Sequence, residues 1–198
     1  MDSNELRTLL IYKDMMKEVR QRLDTIEALV NKETSLRARF ARELSYLQLR
    51  MICEIIALGC IISHEGFSEL SARKFRNSYA ADEIVNFLSK LHDRFYPQPI
   101  KVERKQSGRI SVEDNEIEHL SKENLKTLYR KCGAVLHRGT PATIISGEKI
   151  ETDWIAYVMR QSQLAVNLLA SHALVLHGDQ RAIFCNFITG EAWVGNAR

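Results

Sequence analysis

Between Met51 and Ile62 the chain reads MICEIIALGCII, apolar around nearly the whole circumference of a helix. A helix of that kind has to be enclosed by other protein. The uninterrupted apolar run, Ile55 to Ile62, is much shorter than the roughly 20 residues a bilayer crossing needs. This segment, continuing an amphipathic start from Leu36 with Phe40, Leu44 and Leu47, is therefore predicted as the centre of a helical bundle. Gly59 within it predicts close approach of a neighbouring helix.

Residues 4–32 supply a candidate neighbour. Leu9, Tyr12, Met16, Val19, Leu23, Ile26 and Val30 alternate three- and four-residue steps, a heptad seam of about three repeats. The seam requires a partner, either the next helix of the same chain or a second copy of this one. A break at Lys32-Glu33-Thr34-Ser35 separates an N-terminal coiled-coil-type helix, 1–33, from a main domain, 34–198.

Further helices are predicted from Ser78 to about Phe95, stopped by Pro97 and Pro99, and from Trp154 to Leu176. Ile100, Val102, Ile110 and Val112 alternate with polar residues around Gln106-Ser107-Gly108, the pattern of a small β-hairpin. Residues 181–195 read as a second hairpin turning at Thr189-Gly190, able to pair with the first beside the bundle. The expected fold is mainly α, a helical bundle with one or two small hairpins.

Composition narrows the function. A formal charge of +3 does not by itself announce a nucleic-acid binder. The polar, early-charged N-terminus MDSNELRT predicts no secretory leader and no membrane role. Cys53, Cys60, Cys132 and Cys185 sit in apolar stretches without a CxxC pair. They read as core residues of a cytoplasmic, reducing compartment, with no disulfide or zinc site. His172 and His177 have no second ligand at metal spacing, so no metal is expected. GxGxxG after a strand, GxxxxGK[ST], GxSxG and HExxH are all missing, so no nucleotide cofactor, P-loop or serine-hydrolase chemistry is expected.

The stretch Leu125 to Gly139, LKTLYRKCGAVLHRG, is where residue chemistry and spacing suggest an activity. Ser121 is the predicted N-cap; Gly139 and Pro141 are stop signals. Leu125, Leu128, Tyr129, Cys132, Val135 and Leu136 form one apolar stripe. Arg130 and His137 lie roughly 140–160° from its centre and Lys126 about 120° away. Arg130 and His137 would stack about two turns, or 10 Å, apart over the bare Gly133 and Ala134. A fixed cation beside an imidazole suits phosphodiester chemistry. A solvated, basic helix face is the simpler alternative.

Leu128 to Gly139, LYRKCGAVLHRG, resembles the last-helix signature of the HEPN superfamily: an Arg, a short spacer and a His. Six residues separate Arg130 from His137. The resemblance implies a helical bundle that dimerises. In active members, paired helices bring Arg130 and His137 of both chains together for metal-independent RNA cleavage by the 2′-hydroxyl, in a toxin or phage-defence role. His137 would then move a proton, Arg130 would steady the phosphate, and Lys126 and Arg138 would hold RNA. Many HEPN-like domains are instead inactive dimerisation or nucleotide-binding modules. The leading expectation is a non-catalytic, homodimeric HEPN-like module that binds RNA or a protein partner; the ribonuclease is the alternative.

Overall fold

A computed structural model describes residues 3–64, 80–104, 110–137, 153–176 and 180–197. The expected hairpin turn, Ser78, Arg138 and the Gly139–Pro141 stop lie outside these residues. Five helices are described: α1 (Ser3–Val30), α2 (Ala38–Ile62), α3 (Ala81–Leu91), α4 (Lys122–Leu136) and α5 (Trp154–Leu169). The strands are β1 (Gln98–Arg104), β2 (Ile110–Asp114), β3 (His172–Val175), β4 (Arg181–Asn186) and β5 (Glu191–Asn196). They form one antiparallel sheet in the order β2-β1-β3-β4-β5.

The mainly α, all-helical bundle is thus corrected to an α+β fold. Both expected hairpins exist, but they are halves of one sheet. The difference is the strand β3, which occupies the predicted end of the last helix. α5 stops at Leu169, with the Ala170 N–H bonded to Val166 O at 2.7 Å. β3 then pairs with β1 through Gln98↔Ala173 and Pro99↔His172, and with β4 from His172↔Cys185 to Val175↔Ala182. A short apolar run such as HALV has no periodicity that tells strand from helix.

α2 is the centre expected of it, touching all four other helices. By length and composition alone it is apolar enough to cross a membrane, with mean hydropathy 1.6 over its most apolar window. Here Tyr46, Leu49, Ile52, Cys53 and Ile56 pack into the core, while Phe40 and Leu47 remain exposed.

The α1 seam is filled from within the chain. Leu9, Tyr12, Met16, Val19, Leu23, Ile26 and Leu29 are all buried. Arg22 Nη1 donates to Gln48 Oε1 at 2.7 Å and Tyr12 lies against Gly59, so α1 runs antiparallel to α2. Of the two partners left open by the heptads, the structure supplies the intrachain one. Tyr12 also spans to the sheet: its hydroxyl is 2.7 Å from His172 Nε2, and His172 Nδ1 is 2.9 Å from Leu169 O.

Ser121 caps α4 as expected, its Oγ accepting from the Asn124 N–H at 3.2 Å. Ser121→Ala is expected to cost about 1 kcal/mol in urea unfolding. An unchanged midpoint would show that the cap contributes nothing.

Candidate functional site

α4 places the sequence-predicted residues as follows. Arg130 is exposed and folds back along its own helix, Nε donating to Lys126 O at 3.2 Å. Lys126 is anchored, with Nζ 2.8 Å from Glu123 Oε2 and 3.1 Å from Asn86 Oδ1 on α3. The helix ends at Leu136. His137 is its C-cap, with extended backbone (φ −77, ψ 138), exposed, and linked to the helix through its N–H to Gly133 O at 3.1 Å. His137 keeps the i→i−4 bond and a near-helical φ, so its Cβ still leaves the rod seven residues after Arg130, and only its ψ turns away from the helix.

One half of the expected notch, Gly133, has a neighbour from α2, while Ala134 stays exposed. A Cβ added to Gly133 would lie 3.0 Å from Arg50 Nη1 of α2. Arg50 stacks over Tyr129, 4.5 Å from the ring centre, donates to its hydroxyl at 2.9 Å, and pairs with Glu54 at 3.2 Å. Next to it Lys131 Nζ sits 3.5 Å from the Tyr157 ring centre, and Tyr157 stacks on Tyr46. Cation–π contacts of this sort hold cations as packing groups. Much of the basic character of α4 and α2 is spent inside the fold.

The thiols offer no nucleophile. All four cysteines are buried, and burial pushes Cys132 and Cys185 up to about 12 and raises Cys53 and Cys60 further from their usual value. Among the described residues, no three His, Cys, Asp or Glu side chains gather as a metal site.

Among the described residues, a wide concave feature lies on the sheet, on the face turned away from the described helices. Strand alternation sends His172, Leu174, Ile183, Cys185 and Val194 toward the helical core. The intervening residues form rows on the opposite face. Gln98, Ala173, Phe184 and Trp193 stand opposite one another across four strands; Val175, Ala182 and Gly195 make the next row. Ile100 and Val102 continue this face onto β1, opposite Asp114 and Val112 of β2.

These rows line a trough of about 920 Å³. Ile100, Val175, Ala182 and Phe184 are buried in it, with Val112, Ala173 and Trp193 half-buried. Phe184 and Trp193 stack at 5.6 Å and 17°. Gly195 leaves the space that the Phe184 ring fills, since a Cβ there would meet Phe184 Cε2 at 3.1 Å. The sheet curls into a half-barrel: Ile110 and Val102 share a second concavity of about 470 Å³ with Ala192 and Trp193 of the far edge strand.

At one end the lining changes character. Asp93, Glu113, Asp114 and Glu116 gather there with Arg94 and His119. The described lining contains no Ser, Thr, Cys, Tyr or Lys, so an attacking hydroxyl, thiol or amine is missing from it. The arrangement can hold an apolar molecule.

Sequence reasoning missed this site because its parts are divided between two hairpins and β3. The available signal was that RAIFCNF and HALVL are apolar at successive positions. A strand that is apolar on both faces needs cover on both.

Compared with protein-family models, curated protein sequences and solved structures, the chain matches none of them.

Proposed function

We propose that the protein is a non-catalytic binding module whose ligand site is the trough of the half-barrel. One observation carries this reading: β3, β4 and β5 are apolar on both faces, and the face that the described helices do not cover borders about 920 Å³. That volume lies within the range of small-molecule sites, roughly 300–1,000 Å³. The stacked Phe184 and Trp193 offer a flat wall, and Ala173, Ala182 and Gly195 a shallow floor. The helices act as the scaffold that holds the sheet curled.

The binding part of the sequence-based expectation is kept and moved from α4 to the sheet. The ribonuclease alternative has weaker support. Arg130 is turned onto its own helix and Arg50 of α2 crowds Gly133, while no described group completes an acid–base pair beside His137.

The test uses a neutral apolar fluorophore, N-phenyl-1-naphthylamine. The intact protein is expected to bind it at micromolar concentration. Ala173→Trp, which puts an indole into the middle of the trough, should weaken binding at least tenfold. Val112→Trp on the edge strand serves if Ala173→Trp does not fold. No binding, or binding indifferent to both substitutions, overturns the trough as the site. Total RNA in EDTA should remain intact; cleavage that is lost in Arg130→Ala and His137→Ala would overturn the non-catalytic reading.

A further inference from the structure

We infer that the occupant of the trough is a small amphiphile with an apolar body and one cationic group. This rests on the binding reading above and adds the sign of the ligand's charge. The acidic end carries Asp93, Glu113, Asp114 and Glu116 against Arg94, with Lys101 directly across the strands from Glu113, while the chain as a whole has a formal charge of +3. The local excess of carboxylate therefore runs against the global balance.

Among the described residues, the four carboxylates at the trough have no hydrogen bond or ion pair. Asp114 stands directly opposite Ile100, so a carboxylate and the apolar floor occupy one row of the same face. Like charges collected at one mouth repel one another and any anionic ligand. A cation anchored there relieves that repulsion while its apolar body lies along Val175, Phe184 and Trp193. A purely apolar molecule would gain nothing from the mouth, and a fatty carboxylate would be disfavoured by it.

Three probes of equal chain length separate the possibilities: decylamine, 1-decanol and decanoate. Each is titrated calorimetrically into the whole protein at pH 7.4, below its aggregation limit. Decylamine is expected to bind about tenfold tighter than decanol, with decanoate weakest, and the advantage should shrink as salt is raised. In the double variant Asp114→Asn, Glu116→Gln, both exposed positions, decylamine should fall to within about twofold of decanol and decanol should be unchanged. Equal binding of all three, or tightest binding of decanoate, overturns the cationic occupant and leaves the trough reading standing. A decylamine preference that survives the double variant also overturns it. No binding of any probe, or binding that Ala173→Trp does not reduce, overturns both.

Discussion

Gly59→Val is expected to destabilise the protein by about 4 kcal/mol, a large share of the roughly 5–15 kcal/mol that holds a domain of ordinary stability. A Cβ at position 59 would lie 2.9 Å from Tyr12 Cε2 and 3.3 Å from Cδ2. Tyr12 is 1% exposed and its hydroxyl is tied to His172, so the ring has no free direction in which to yield. Overpacking costs about 1–3 kcal/mol. If the ring moves, the buried imidazole also loses its partner, at about 1–3 kcal/mol more. Helix propensity opposes this by less than about 1 kcal/mol, because glycine is a poor helix former. Steric crowding therefore wins. Urea unfolding of Gly59→Val reads the loss directly; a change below 1 kcal/mol would mean that α1 and α2 can separate there at little cost.

The second large effect is with acid. His172 is fully buried, and desolvation lowers its pKa from 6.5 to about 4, only partly opposed by the bond to Leu169 O. In the neutral ring, Nδ1–H donates to Leu169 O and Nε2 accepts from the Tyr12 hydroxyl, the tautomer assigned by these two bonds. Between pH 6.5 and 4 the unfolded chain binds a proton at this position and the folded chain does not. Stability is complete above pH 6.5 and falls with pH down to about 4, by about 3 kcal/mol in all. The nearby Tyr12, Cys60, Tyr96 and Cys185 are all shifted upward by burial, so they stay neutral throughout this window. Unfolding midpoints at pH 7, 5.5 and 4.5, compared with His172→Phe, isolate this contribution. Equal pH slopes in the two proteins would show that His172 does not supply it.

Both effects meet at Tyr12, and Tyr12 shows how far the sequence could be read. Its place in the heptad seam marked it as buried, and Gly59 marked a close approach. That the two meet each other, and that the tyrosine continues to His172, depends on the antiparallel pairing of α1 and α2, which heptads leave open. Ser121 was legible because a cap is a local device. β3 was not, since four apolar residues after a helix look like more helix until a sheet claims them. The basic face of α4 was legible as a pattern: spacing places Arg130 and His137 on one side of a rod, yet it cannot show that Arg50 arrives from α2 beside Gly133. The trough was least legible, because its rows are assembled by long-range pairing of strands far apart in the chain.

The union between the two ribbons of the sheet is narrow. β1 and β2 pair over five residues and β4 and β5 over six, whereas β1 meets β3 at Gln98↔Ala173 and Pro99↔His172, extended by the Ile100 N–H bond to Ser171 O at 2.8 Å. One of the four paired residues is a proline with no amide hydrogen to contribute. Each ribbon keeps its own ladder, so the short joint at Gln98, Pro99 and Ile100 is where the two halves of the sheet are least tied to each other, and the curl of the half-barrel depends on those few bonds.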